Sequence, residues 1–170
     1  MSLFFALWPS EAVRAQLSSW SRDLHAACGG RPVPPQNLHL TLAFLGTVED
    51  VDAVERAAGE TVPRAATVLL DYPGFWKSNR IVWAGASTPA AEVEGLVQDL
   101  RGALSRHGVR FDPKPFATHV TLLREAREPR AMPTLAPTRW DVDGFVLVRS
   151  QLQPGASRYE IAGSWKAAGP

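Results

Sequence analysis

His39-Leu40-Thr41-Leu42 returns, almost letter for letter, as His119-Val120-Thr121-Leu122. Residues two apart on a β-strand point to the same face. His39 and Thr41 therefore share one face of a strand, and Leu38, Leu40 and Leu42 take the other. Val120 and Leu122 oppose His119 and Thr121 in the same way. Each copy buries aliphatics and presents an imidazole beside a hydroxyl. Two such strands across a groove supply two imidazoles and two hydroxyls, a set suited to holding a phosphate between an acid and a base. His119 follows His39 by 119 − 39 = 80 positions.

The flanks repeat as well. Arg31 with Pro34 and Pro35 precedes the first copy, and Arg110 with Pro113 and Pro115 precedes the second. Proline holds such approaches extended. The repeat predicts an old duplication with two similar lobes. Its period is too long and too diverged for a solenoid. No linker separates the halves, so residues 1–170 are expected to form one two-lobed domain.

Outward from the two motifs, Ser2 to Trp8 reads as a buried strand closed by Pro9. Ser10 caps a helix from Glu11, with Val13, Leu17, Trp20 and Leu24 at helical spacing and Gly29-Gly30 at its end. The first histidine strand spans about Asn37 to Leu45. A second helix fits Asp50 to Thr61, with Val51, Val54, Ala57 and Ala58 as its apolar stripe. Strands follow at Val68 to Tyr72 and Arg80 to Ala86, with Pro73-Gly74 as a turn. Pro89 falls in the first turn of a third helix, whose buried face is Val93, Leu96, Val97, Leu100 and Leu104. The second histidine strand spans about Thr118 to Leu123. Glu125 to Pro137 reads as a surface loop. Trp140 to Gln151 and Arg158 to Trp165 are the last two strands, turning near Gly155.

The chain has 170 residues, 45% hydrophobic and 21% charged, with net charge +1. These are ordinary values for a soluble globular protein. One cysteine, Cys28, excludes an internal disulfide and a cysteine zinc cluster. The apolar run Leu3 to Trp8 is too short for a membrane span. A cytoplasmic protein without membrane attachment is expected.

A lone strand histidine is usually structural. Two matching motifs among four histidines, on a face that a pure core strand fills with aliphatics, favour catalysis at His39 and His119. His25 and His107 have no such context and read as helix-end residues.

Several stretches carry a family resemblance. They are Phe4-Phe5-Ala6-Leu7, Pro34-Pro35-x-Asn37-Leu38-His39-Leu40-Thr41-Leu42-Ala43-Phe44-Leu45-Gly46, and Phe116-x-x-His119-Val120-Thr121-Leu122-Leu123-Arg124. The tail Ser150-x-Leu152 … Gly155-x-x-Arg158-Tyr159 … Trp165 joins them. The chain resembles the two-histidine phosphoesterases, and within them the LigT-like RNA 2',3'-cyclic phosphodiesterases, also called 2'-5' RNA ligases. It departs from many relatives in having Ser2-Leu3 where they carry a basic residue.

The resemblance implies an α+β fold of two similar lobes, each an antiparallel sheet with flanking helices, around a central groove. It implies no metal and no cofactor, and neither motif has an acidic cluster at ligand spacing. The implied substrate is RNA with a 2',3'-cyclic phosphate end, tRNA fragments among the candidates, acted on by a monomer. The implied chemistry is acid–base catalysis by His39 and His119, with Thr41, Thr121 and Arg124 on the phosphate and Phe44 stacking on a base. Straight-strand parity places Arg124 off the histidine face unless the strand bends near Leu123, and places Phe44 in the core with Leu40 and Leu42. Alternatives are hydrolysis of ADP-ribose 1'',2''-cyclic phosphate or another small cyclic phosphate, RNA joining in the reverse direction, and an RNA-end-binding module with little turnover. The presence of both histidines argues against a dead site.

Overall fold

The structure, a computed structural model, describes residues 1–168. It is α+β, with two four-stranded antiparallel sheets, a two-stranded ribbon and three helices among the described residues. Strand β1 (Ser2–Leu7) lies inside the first sheet, between β3 (Leu40–Gly46) and β9 (Gly144–Gln153), with β10 (Ala156–Lys166) at the edge. The second sheet orders β2 (Arg31–Pro32), β7 (His119–Arg124), β6 (Ile81–Gly85) and β5 (Tyr72–Trp76). Strands β4 (Ala66–Leu70) and β8 (Thr138–Val142) form the ribbon.

The two sheets do not correspond to the two halves of the chain. The first sheet combines β1 and β3 with β9 and β10, and the second combines β2, β5 and β6 with β7. Helix α1 (Glu11–Cys28) leaves β1 and packs against β7 of the other sheet. Helix α2 (Val51–Glu60) packs on α3 (Ala91–Arg106), which lies against β3. One hydrophobic cluster joins Leu7, Leu17, Leu40, Leu100, Val120 and Leu122, so both sheets and the helices between them share a core. Strand β1 is buried on both faces. Leu3, Phe5 and Leu7 enter the main core. Phe4 and Ala6 enter a smaller cluster with Val148, against which Trp8 and Tyr159 pack.

Helix α1 begins as its sequence dictates, with Ser10 Oγ accepting from the Val13 amide at 3.3 Å. It ends at Gly29, whose φ of 60° suits glycine. Other boundaries shift for physical reasons. Pro73-Gly74 lies inside β5, and the turn is at residues 77–80. A Cβ on Gly74 would overlap the Trp83 ring, so this glycine makes room for an indole. The stretch expected as one strand from Trp140 to Gln151 is two, β8 and β9, broken at Asp143. The two strands take different partners, β8 pairing with β4 and β9 with β1 and β10; at the start of β9, Gly144 pairs with Lys166, where a Cβ would collide with the Trp165 carbonyl oxygen. Pro89 precedes α3, whose cap is Ala90. Val51 is exposed at the first position of α2, and Ala53 takes its place in the buried stripe. Residues 125–137 form an irregular segment, but Ala126 is buried, and Met132 and Leu135 pack on the core.

Candidate active site

The approach to the first motif is a 3-10 turn, Pro35–Asn37, and β3 begins only at Leu40. His39 thus sits just before the regular strand rather than within it. Its Nδ1 lies 2.7 Å from the Asn37 carbonyl oxygen. A carbonyl only accepts, so Nδ1 carries the proton and the neutral ring leaves Nε2 as its basic atom. The Thr41 hydroxyl, 3.0 Å away, donates to it. The second motif repeats the device: His119 Nδ1 donates to the Ala117 carbonyl at 2.8 Å. His119 Nε2 has no hydrogen-bond partner among the described residues.

The symmetry breaks one residue type at a time. Asn37 is buried, and its side-chain amide donates to the Ser157 carbonyl on β10 at 2.8 Å. The turn that aims His39 is thereby fastened to the C-terminal hairpin. Ala117, in the matching position, has no such arm. His39 packs against Phe4 (ring centroids 4.7 Å apart), Tyr159 (5.5 Å) and Trp8 (6.0 Å). His119 meets the edge of Trp76 at 4.7 Å.

The positions five residues past each histidine settle the two parity questions. In β3 the pairing with β1 slips between Phe5–Ala43 and Ala6–Thr41, leaving Leu42 unpaired. In β7 the pairing with β6 slips between Val82–Leu123 and Trp83–Thr121, leaving Leu122 unpaired. Each slip is a β-bulge, which inserts one residue and reverses alternation beyond it. Leu42 and Ala43 are both buried, as are Leu122 and Leu123. Phe44 and Arg124 consequently emerge on the exposed side. Phe44 is 45% exposed, not in the core where straight alternation puts it.

Two cavities flank the motifs. One, of about 500 Å³, is lined by His39, Thr121, Arg124, Arg31 and Tyr159 among others. The other, of about 480 Å³, is lined by Thr41, His119, Phe44, Trp76 and Phe116 among others. Each histidine thus shares a cavity with the threonine of the opposite strand. All six residues expected at the site, His39, His119, Thr41, Thr121, Arg124 and Phe44, line one or the other. Asn37, Tyr159, Trp76 and Arg31 are additional neighbours. Asn37 and Tyr159 lie within stretches of the family resemblance, but their approach to His39 depends on contacts between distant parts of the chain.

Burial holds the His39 imidazole down to about 4, with the Arg124, His119 and Arg14 charges adding to the effect and the Asn37 carbonyl opposing it. Burial also lowers the His119 pKa, opposed by the Ala117 carbonyl. Burial raises that of the Tyr159 phenol, opposed by Arg124. Both imidazoles are therefore neutral in the free protein at pH 7. The cations around His39 make this region attractive to an anion, and a bound anion works against the depression of His39.

His25 and His107 lie apart from this groove. His25 Nε2 donates to the Gly30 carbonyl at 3.1 Å, and His107 caps α3 with its Nε2 2.8 Å from Glu60. Among the described residues no three His, Cys, Asp or Glu side chains converge at metal-binding spacing, and no helix is long and apolar enough to cross a membrane.

Residues 7–83 match the model of the LigT like Phosphoesterase family. The chain is 36% identical to the RNA 2',3'-cyclic phosphodiesterase of Escherichia coli over 167 residues, covering 96% of this chain and 94% of that protein. The chain belongs to the LigT-like phosphoesterase family. It is 34% identical to the protein of the same name from Thermus thermophilus, covering 95% of this chain and 87% of that one. Its fold matches the crystal structure of E. coli LigT complexed with 3'-AMP at a TM-score of 0.88 and 34% identity, over 99% of this chain and 98% of that one. Membership makes the chain a hydrolase acting on phosphoesters, with the two-histidine phosphoesterase fold and cyclic phosphodiesterase activity.

Proposed function

We propose that the protein hydrolyses the terminal 2',3'-cyclic phosphate of RNA to a 2'-phosphate, with His39 and His119 as its acid–base pair. The observation that carries this reading is the matched pinning of both Nδ1 atoms by backbone carbonyls two residues back. It leaves two Nε2 atoms, one at each cavity, to exchange protons with the substrate. The neutral imidazole takes a proton from water as the water oxygen attacks phosphorus. The other, protonated, gives its proton to the ribose 3'-oxygen as the P–O3' bond breaks. Thr41, Thr121 and Arg124 hold the non-bridging oxygens as negative charge builds on them. Phe44 offers an exposed ring to the terminal base. The names of the relatives in E. coli and T. thermophilus support the substrate class.

In this reading the chain supplies acid, base and anion donors itself, so no metal takes part. Binding of an RNA end by a monomer, in the cytoplasm and free of membrane, and reverse 2'-5' joining belong to the same reading. Purified protein is incubated in EDTA with an oligoribonucleotide ending in 2',3'-cyclic phosphate, and the product end is identified by phosphorus NMR. A 2'-phosphate at undiminished rate is expected. Loss of turnover in chelator, restored by one divalent metal, would refute the mechanism.

A further inference from the structure

The cavity beside His39 differs in character from its neighbour beside His119. Arg31 and Arg124 line it, and among the described residues no carboxylate does. The other cavity offers Phe44, Trp76 and Phe116; of its two cations, Arg101 is taken up by the Leu42 and Lys114 carbonyls and Lys114 pairs with Asp112 at 3.9 Å. The cationic cavity also has an unusual lip. Pairing of β9 with β1 stops at Ser150, whereas β9 and β10 continue beyond it as a two-stranded hairpin to Gln153 and Ala156, tied to the His39 turn by the Asn37 amide on the Ser157 carbonyl. Leu152 pairs with Ser157 and Ser150 with Tyr159, so Leu152 and Tyr159 lie on the same face of the hairpin, the one turned to His39. Leu152 is 91% exposed and lines the cavity with His39 and Arg31.

A ribose 2',3'-cyclic phosphate has a built-in direction. Its phosphate bridges C2' and C3'. The base leaves the ring from C1', at one end of that edge, and the 5' chain leaves from C4', at the other. With the phosphate between the two motifs and the base toward Phe44, the 5' chain points into the Arg31 cavity. We propose that Arg31 and the β9–β10 tip, with Leu152 as an apolar platform, dock the RNA strand upstream of the terminal nucleotide. Arg31 meets the upstream phosphodiesters, and Leu152 covers the face of a penultimate base. Arg31 has a partner in Glu125, but at 3.7 Å and with both groups well exposed this pair is weak and readily exchanged for a phosphate. The inference rests on the RNA-end reading above and adds chain-length discrimination to it.

The test compares kcat/KM for adenosine 2',3'-cyclic phosphate with that for a tetraribonucleotide bearing the same end. The tetranucleotide is expected to be favoured by about tenfold or more. Leu152→Ser and Arg31→Ser are each expected to cut that preference severalfold, through KM. Its turnover should also fall more steeply with salt than that of the mononucleotide, because upstream phosphates release counterions on binding. Leu152→Ser alters an exposed tip and leaves the core untouched, so it remains informative if the Arg31 variant is poorly folded. Equal kcat/KM for the two substrates, or a preference unchanged in Leu152→Ser, would overturn the docking surface while the RNA-end reading stands. Turnover of neither substrate would overturn both.

Discussion

At the scale of single residues, the threonines and His39 make the sharpest demands. Thr41 donates to His39 in the free protein, and Thr121 lies in the same cavity as His39, half-buried and outside the core. Thr41→Ala and Thr121→Ala should each lower turnover by about 10²-fold, the low end for loss of one transition-state donor. Both variants should retain a cooperative thermal transition, and its loss would make the threonine structural. The second demand is a pH dependence of stability. His39 titrates near 6.5 when unfolded and at about 4 in the fold. Between these values the unfolded chain binds more protons, so stability is complete above about 6.5 and falls as pH drops toward 4. The full shift converts to about 3 kcal/mol. The ring is only half-buried, and solvent screening reduces the effect to the order of 1–2 kcal/mol. In urea melts the wild type should lose stability relative to His39→Asn as pH falls across this window, and a pH-independent difference between the two would show that His39 does not titrate this way.

At the scale of elements, backbone contacts decide what side-chain patterns leave open. Gly144 lets the start of β9 lie against the Trp165 carbonyl of β10, where any Cβ would collide. Gly144→Ala should destabilise the protein by about 1–3 kcal/mol, the range for forced overpacking with backbone displacement. Thermal unfolding checks this, and an unchanged Tm would remove the steric argument. The same contrast explains what is legible in the sequence. The helices, their buried faces and the Ser10 cap follow from local spacing and are readable. The histidine–threonine faces are readable because alternation holds across three residues. Phe44 and Arg124 are not settled by parity, because each lies beyond a bulge that only pairing with a neighbouring strand reveals. Pro73-Gly74 resembles a turn by composition, yet it is a strand whose glycine receives the Trp83 ring.

At the scale of the molecule, duplication in sequence does not give two self-contained halves. Both chain ends build the first sheet, α1 crosses to the second, and the core is continuous between them. This interleaving couples the two motifs mechanically. Asp112, on the approach to His119, donates its amide to the Phe44 carbonyl at 2.8 Å, and Arg101 of α3 donates to the carbonyls of both Leu42 and Lys114. The two histidines are therefore held as one unit, and the central claim is that they act as one. The most direct measurement is the turnover of His39→Ala, His119→Ala and the double variant on an oligoribonucleotide ending in 2',3'-cyclic phosphate. Each single variant is expected to lose on the order of 10² to 10⁴-fold, and the double variant less than the product of the two losses. A folded single variant with near-normal turnover would contradict the account.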